Sequence, residues 1–163
     1  MESNFIPDAI DLQLLDLLQT DASLSNQALA ERVHVSPPTC LRRVRRLQAS
    51  GLIERQVALL QPDRLAALQG HGLSAIVEVT LDRQGAEQLD AFQARAVADD
   101  GVQQCWRVSP GPDFVLVVHT RNMPGYLALS QRLFTQDANV RNVKAFFATQ
   151  RAKFETKLPI THG

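Results

Sequence analysis

Residues 36–51 limit the possible folds of this chain more than any other stretch, because they fix where a helix starts and how its faces are charged. Ser36 is followed by two consecutive prolines, Pro37 and Pro38. Proline is tolerated in the first turn of a helix, where amide groups have no partner within the helix, and serine is a preferred N-cap. The sequence therefore predicts a helix that begins after Ser36 and that Gly51 ends.

The predicted helix has an apolar side and a basic side. Helical spacing brings together four apolar residues, Cys40, Leu41, Val44 and Leu47. The opposite side collects Pro38, Thr39, Arg42, Arg45 and Arg46, with Arg43 at its flank. No acid of this helix stands four residues from an arginine, so nothing within the helix neutralises these charges. Such a helix packs on its neighbours with one side and offers guanidinium groups and a hydroxyl on the other.

Two segments before this helix complete a helix-turn-helix pattern. Asp8 suits the cap of a first helix whose apolar residues recur at helical spacing, namely Ile10, Leu14, Leu17 and Leu18. Ser25 suits the cap of a second, shorter helix, and residues 34–36 form a tight connection to the arginine-rich helix. The second helix of a helix-turn-helix motif lies in the major groove of DNA, where its first residues meet base edges.

The arginine-rich helix is therefore predicted to contact DNA, since guanidinium groups suit phosphate oxygens and the O6/N7 edge of guanine. The predicted DNA-binding residues are Ser36, Pro38, Thr39, Arg42, Arg43 and Arg46. Pro38, Thr39 and Arg42 are expected near bases, and Arg43 and Arg46 near phosphates. The competing interpretation is a charged face that is solvated and binds nothing.

The net charge hides this basic segment. Seventeen lysines and arginines balance 17 aspartates and glutamates, so the chain as a whole is neutral. No apolar run approaches the roughly 18 residues that span a bilayer, and the acidic N-terminus lacks the features of a secretory signal. We expect a cytoplasmic, nucleoid-associated protein with double-stranded DNA as a partner and no membrane partner.

No pattern typical of catalysis or of a bound cofactor is found in the sequence. Cys40 and Cys105 match no metal-ligand spacing, and the four histidines at 34, 71, 119 and 162 are scattered along the chain. A catalytic triad, a phosphate-binding loop and a dinucleotide fingerprint are all absent from the sequence. We therefore expect no catalytic residues, no metal and no cofactor, and do not expect an enzyme.

The second half of the chain has the pattern of a ferredoxin-like domain. Strand and helix patterns alternate as β-α-β-β-α-β, and the "SPGP" turn, from Ser109, joins the two central strands. Helices cover one face of such a sheet, yet the strand from Phe114 is apolar on both sides, so a second subunit is expected on the open face. The predicted ranges are 1–54 for the helix-turn-helix domain, 55–71 for a connecting strand and linker, and 72–163 for the second domain.

With these motifs in view, the chain resembles the leucine-responsive regulatory protein/AsnC family of transcription regulators. The resemblance is carried by the segment from Asp8 to Ile53, by the hairpin "CWRVSPGPDFVLVV" and by the ending "FATQRAKFETKLPI". It implies an α+β fold, with an N-terminal winged helix-turn-helix domain followed by a ferredoxin-like βαββαβ domain that senses amino acids. It also implies a homodimer that assembles to an octamer, and a small-molecule amino acid as effector, bound between dimers.

The chain departs from the family pattern at three positions. Ser23 stands where the family usually has arginine, and His34 where it usually has a turn glycine; histidine tolerates left-handed geometry better than most residues. In the hairpin, Pro110 replaces the family's glycine. The resemblance implies that Ser109, Gly111 and Asp113 take part in effector binding, and a purely structural turn is the equal alternative for this segment.

Two other functions are compatible with the same architecture. Sirohaem decarboxylases resemble this family, but such an enzyme needs basic and histidine residues that line a porphyrin cavity. Here the arginines are concentrated on the predicted recognition helix instead. A chromosome-architecture protein with little sequence preference is the other alternative, and it differs from a regulator in its specificity rather than in its fold.

Overall fold

The computed structural model describes residues 5–70 and 72–161. The described chain divides into two compact units: the first holds residues 5–59 together with 153–161, and the second holds residues 60–70 and 72–152. Residues 1, 71 and 163, which bound the predicted domain ranges, lie outside the described residues, as do His71 and His162. Over the described ranges, no helix is long and apolar enough to cross a membrane.

The first unit is built from three helices that start where the sequence predicts. They are α1 (Ala9–Thr20), α2 (Asn26–Arg32) and α3 (Pro37–Ala49). The Asp8 carboxylate accepts hydrogen bonds from the amides of Ile10 and Asp11, each at 3.0 Å, and Ser25 caps α2 in the same way. The buried apolar side chains between the helices are Leu14, Leu18, Leu29, Ala30, Val33, Cys40 and Leu47.

The turn between α2 and α3 depends on an unusual backbone conformation at His34. Its φ is 56°, in the left-handed region, which confirms the geometry predicted for the position where the family has glycine. The amide of Val35 donates to the carbonyl of Ala30 at 3.0 Å and fixes the turn. At the other end of α3, Gly51 has φ 78°, a conformation that glycine adopts without strain.

The prediction of a connecting strand after Gly51 is wrong. The stretch between α3 and α4 (Pro62–Gln69) has no regular structure, and the first unit contains no strand among its described residues, so the predicted wing is not formed. The apolar side chains that suggested a strand, Val57, Leu59 and Leu60, are all exposed. A strand needs a neighbouring strand to accept its backbone hydrogen bonds, and none lies beside this stretch in the single chain described here.

The second unit is a four-stranded antiparallel sheet with helices on one face, and the predicted α+β fold class is confirmed. Its strands are β1 (Leu73–Leu81), β2 (Val102–Arg107), β3 (Phe114–Thr120) and β4 (Val140–Phe147), in the order β2-β3-β1-β4. Its further helices are α5 (Ala86–Ala98) and α6 (Met123–Ser130), the latter continued by a π-helical turn, Gln131–Thr135. The last strand, β4, ends at Phe147.

The two faces of the sheet differ in their environment. Alternate residues of β1 and β3 point into the core, where Val77, Val79, Leu116 and Phe92 of α5 are fully buried. The opposite face of the sheet is what we call the open face. It carries Ile76 of β1, Val115 and Val117 of β3, Trp106 of β2 and Phe146 of β4. Ile76, Trp106 and Phe146 are about half exposed, so this face keeps the apolar surface that the sequence predicts.

The C-terminal stretch belongs to the first unit and binds α1. The side-chain amide of Gln19 donates to the carbonyl of Leu158 at 2.8 Å, and its oxygen accepts from the amide of Leu158 at 2.9 Å. Lys157 forms an ion pair with Asp16, its Nζ lying 3.0 Å from Oδ1. Residues from both ends of the sequence therefore build the helical unit, an arrangement that helical periodicity does not predict.

Candidate DNA-binding surface and effector hairpin

The inner side of α3 is fixed by apolar contacts. Cys40 and Leu47 are fully buried and Val44 is partly buried against α1 and α2. Leu41, which the sequence pattern assigns to this side, is 39% exposed and lies at its edge. The apolar side of α3 is consequently narrower than predicted, and more of the helix surface is open to a partner.

The start of α3 presents a serine, two prolines and a threonine. Ser36 occupies the N-cap position, but its hydroxyl lies 2.9 Å from the Thr39 hydroxyl instead of capping the helix amides. Pro37 and Pro38 stand at the first two helical positions, as predicted, and the side chain of Asn26 donates to the Pro37 carbonyl at 2.8 Å. Ser36 and Pro38 are exposed, so this end of the helix is accessible.

Arg42 and Arg45 form the accessible charge of the helix. Both side chains are exposed, and neither forms a hydrogen bond or ion pair with any residue in 5–70 or 72–161. Arg45 was not among the predicted DNA-binding residues, although it follows Arg42 by three positions and so shares its side of the helix. We call Thr39, Arg42 and Arg45 the basic face of α3.

Arg43 and Arg46 are paired with acids of α1. The Nη1 atom of Arg43 lies 2.7 Å from Asp8 Oδ2 and 2.9 Å from Asp11 Oδ1, and the Nη2 atom of Arg46 lies 2.8 Å from Asp11 Oδ2. The Arg43 side chain is only 17% exposed, and the Arg46 guanidinium also lies 4.3 Å from the centre of the Phe5 ring. The predicted phosphate contacts of these two arginines stay a prediction, and their charge is already partly neutralised.

Sequence reasoning missed the two acids because they come from another helix. Only an indirect signal was present: Asp11 stands three residues before Leu14 and seven before Leu18, and so interrupts the apolar side of α1 with a carboxylate. An acid at such a position must be paired if it is buried. In the structure Asp11 is fully buried.

These contacts change the ionisation of Asp8 and Arg43. The amide of Asp11 and the guanidinium of Arg43 stabilise the charged form of the Asp8 carboxyl and hold its pKa below the usual value. Hydrogen bonds to Asp8 and then to Asp11 raise the pKa of Arg43 in turn. The pair is therefore fully charged at neutral pH.

The hairpin between β2 and β3 contains the three predicted effector residues. Ser109 and Gly111 are exposed, and Gly111 has φ 124°, which requires glycine. Asp113 is partly buried: its Oδ2 accepts from the amide of Leu81 at 2.7 Å and from the side chain of Gln84 at 3.3 Å. The carboxylate of Asp113 thus joins the hairpin to the end of β1, while Ser109 and Gly111 lie open to solvent.

No arrangement typical of metal binding occurs within residues 5–70 and 72–161, where no three His, Cys, Asp or Glu side chains converge. Burial raises the pKa of both the Cys40 and the Cys105 thiol, so both are protonated at neutral pH and poor nucleophiles.

Family models match both units of the chain. The AsnC-type helix-turn-helix domain matches residues 8–48, and the Lrp/AsnC ligand binding domain matches residues 74–158. A leucine-responsive regulatory protein of Rhizobium meliloti (strain 1021) is 36% identical over 146 residues, which cover 90% of this chain and 91% of that protein. The DNA-binding transcriptional activator DecR of Escherichia coli (strain K12) is 33% identical over 153 residues, 94% of this chain and 98% of its own length.

Solved structures of similar proteins agree with this assignment. A transcriptional regulator of Neisseria meningitidis, crystallised as a complex with L-Met, superposes with a TM-score of 0.82 at 27% identity over 96% of this chain and 99% of that one. An AsnC family transcriptional regulator of Agrobacterium tumefaciens gives 0.81 at 28% identity over 94% and 97%. The resemblance inferred from the sequence is therefore confirmed, and this chain belongs to the Lrp/AsnC family of transcriptional regulators.

Proposed function

We propose that this chain regulates transcription by placing the basic face of α3 in the major groove of a specific DNA site. One observation carries the proposal: Arg42 and Arg45 are exposed on the side of α3 opposite the buried Cys40 and Leu47, with no ion pair or hydrogen bond to the described residues. Two unpaired guanidinium groups on a helix that fits the groove are suited to guanine edges and phosphates. Ser36, Pro38 and Thr39 at the helix start are proposed to lie near the bases.

The first experiment is fluorescence anisotropy on DNA from upstream of the chain's own gene, with random DNA of equal length as the control. The change of Arg42 to alanine should weaken binding to the target roughly 5- to 150-fold, since one good base contact contributes about 1–3 kcal/mol. The matched variant is Arg141→Ala, which removes an exposed arginine of β4 in the second unit and should leave binding unchanged. Equal losses in the two variants would reject the basic face as the contact surface.

The same assay separates the alternative functions. A regulator should bind its target far more tightly than random DNA, whereas a chromosome-architecture protein should bind both about equally. The relatives reported above are named as regulators, and the exposed Arg42 and Arg45 favour DNA over a porphyrin ligand. Absence of DNA binding at low salt, together with strong visible absorbance that stays with the protein after free sirohaem is removed, would favour the enzyme.

A homodimer formed through the open face is the proposed functional assembly, and the octamer is proposed from the family resemblance. Support for the dimer comes from Ile76, Trp106 and Phe146, large apolar side chains of the open face that are about half exposed; Ile76 and Phe146 pair directly on neighbouring strands, and Trp106 lies on β2, on the other side of β3. Two recognition helices of a dimer would enter successive major grooves, about 34 Å apart, so the site should be roughly palindromic. As a DNA-bound regulator the protein would act in the cytoplasm, at the nucleoid.

An amino acid is the proposed effector, and Ser109, Gly111 and Asp113 are its proposed contacts. The L-Met complex of the Neisseria protein and the match to a ligand binding domain support this class of ligand. The effector can act only by binding one assembly or DNA-bound state more tightly than another. Each common amino acid would be added to the anisotropy assay in turn, and a shift in DNA affinity by one of them would identify the effector.

Asp113→Asn tests the hairpin directly. The amide oxygen of asparagine can still accept the hydrogen bond from Leu81, while the charge that would bind an effector's ammonium group is removed. Loss of the amino-acid response with unchanged thermal stability would support effector binding by Asp113. An unchanged response would favour the purely structural turn.

A further inference from the structure

Asp11 is the single charged side chain that is buried among residues 5–70 and 72–161. A buried carboxylate is stable only if hydrogen-bond donors and opposite charges surround it. Asp11 lies in the first turn of α1 and faces α3, so the opposite charges come from α3. The cluster lies on the DNA-binding helix itself, so it bears on how that helix works.

Both carboxylate oxygens of Asp11 are occupied. Oδ1 accepts from Arg43 Nη1 at 2.9 Å; Oδ2 accepts from Arg46 Nη2 at 2.8 Å and from the amide of Asp8 at 3.1 Å. The carboxylate of Asp8 takes a second hydrogen bond from the same nitrogen of Arg43. Two of the four arginines of α3 are therefore bound to two acids of α1.

From these contacts we infer that Asp11 is a positioning residue that withholds Arg43 and Arg46 from DNA and fixes the orientation of α3 on α1. The inference rests on the proposed DNA-binding function. The four arginines carry four positive charges, and the two paired acids neutralise two of them. The remaining two positive charges are those of Arg42 and Arg45. If Arg46 bound DNA instead, the buried Asp11 would lose one of its two arginine partners. Breaking a buried ion pair is strongly unfavourable.

The alternative is that Arg46 binds Asp11 and a phosphate at the same time, since its side chain is 43% exposed. Salt dependence distinguishes the two. Each phosphate neutralised by a protein charge steepens the plot of log affinity against log salt concentration by about 0.9. An arginine already neutralised by Asp11 contributes little to this slope.

The first test compares Arg45→Gln with Arg46→Gln, two changes that remove one exposed arginine each from neighbouring positions of α3. Anisotropy is measured on the target DNA from low to moderate salt with the full chain. Arg45→Gln should reduce the slope by about 0.9 for each recognition helix bound, and Arg46→Gln by less than half as much. Equal reductions would overturn the inference.

The second test removes the charge of Asp11 without changing its shape. Asp11→Asn should release Arg46, steepen the slope by about 0.9 per helix and reduce the preference for target over random DNA, because α3 is less firmly held. A residue that only stabilised the fold would weaken binding without steepening the slope. Asp8→Asn is the comparison: it removes one acid but leaves Arg43 and Arg46 bound to Asp11, so the slope should steepen less than in Asp11→Asn.

The double variant Asp11→Asn with Arg46→Gln identifies the released charge. Its slope should return to that of Arg46→Gln alone, and a slope as steep as that of Asp11→Asn would overturn the inference. If Asp11→Asn does not fold by circular dichroism, the comparison of Arg45→Gln and Arg46→Gln decides the question alone. Failure of the unmodified chain to bind any DNA would reject the proposed function, whereas binding with equal slopes for the two arginine variants rejects only the inference.

Discussion

The N-cap of α1 gives the sharpest prediction of stability, because Asp8 combines two separable interactions. Its Oδ1 accepts hydrogen bonds from the amides of Ile10 and Asp11, and its Oδ2 forms an ion pair with Arg43. Asp8→Ala removes both the cap and the ion pair. Asp8→Asn keeps an oxygen that can cap the helix and removes only the charge.

The expected losses follow from these contacts. Loss of an N-cap costs about 1 kcal/mol, with a range of roughly 0.5–2. The ion pair contributes at most about 1 kcal/mol, because the Asp8 side chain is half exposed and solvent screens the attraction. Asp8→Ala should therefore lower the free energy of unfolding of the helical unit by about 2 kcal/mol, and Asp8→Asn by less than about 1 kcal/mol.

Urea unfolding followed by circular dichroism measures these differences. The chain has one tryptophan, Trp106, which lies in β2, so its fluorescence reports on the sheet unit within the same samples. If the units unfold separately, the Asp8 variants should shift the dichroism transition and leave the fluorescence transition in place. Equal losses for Asp8→Ala and Asp8→Asn would refute the assignment of the larger part to the cap.

The pH dependence of this difference has a defined sign. Contacts in the folded state lower the pKa of Asp8, so its charged form contributes stability that is complete above the ordinary value of about 3.9. That contribution is lost as the pH falls from this value through the lower pKa of the folded protein. The advantage of the unmodified chain over Asp8→Asn should therefore be present at pH 7 and disappear in strong acid.

Three further changes test other parts of the structure. Trp106→Ala should weaken self-association at least tenfold in analytical ultracentrifugation, since a buried aromatic at an interface contributes about 2 kcal/mol or more. Val97 on α5 is similarly exposed, and Val97→Ala should leave self-association unchanged. Gln19→Ala removes two hydrogen bonds to Leu158, so hydrogen exchange of the Leu158 amide should become faster, and an unchanged rate would contradict the described docking of the tail. His34→Gly should raise the midpoint of thermal unfolding, because it relieves a left-handed conformation that costs a non-glycine residue about 1 kcal/mol; a lower midpoint would contradict this.

Local patterns predicted the elements whose determinants lie close together in the sequence. The start of α3 follows from Ser36 and the two prolines. The succession of strands along the chain follows from the alternation of apolar and polar residues and from the turn before Asp113. The left-handed turn at His34 was predicted from the family resemblance, because the family has a turn glycine there and histidine tolerates this geometry better than most residues. These features depend on backbone preferences within a few residues, which a single sequence displays.

The features that sequence reasoning missed depend on partners from distant parts of the chain. The stretch after Gly51 has the composition of a strand, but among the described residues no strand lies beside it. The acids that pair with Arg43 and Arg46 lie about 35 residues earlier, in a different helix, and no periodicity within α3 reveals them. The docking of Leu158 on Gln19 spans nearly the whole sequence.

The charge of α3 shows why counting basic residues overestimates a DNA-binding surface. The sequence presents four arginines in five positions, which suggests four contacts, but exposed and unpaired guanidinium groups number two among the described residues of this helix. If all four bound phosphate, affinity would fall with roughly the fourth power of the salt concentration per helix, whereas Arg45 on a phosphate and Arg42 on a base give about the first power. The weaker dependence leaves a larger share of the affinity to base contacts from Thr39 and Arg42, which are sequence-specific. Pairing half of the arginines with Asp8 and Asp11 would thus raise the ratio of specific to non-specific binding, the quantity that a regulator requires.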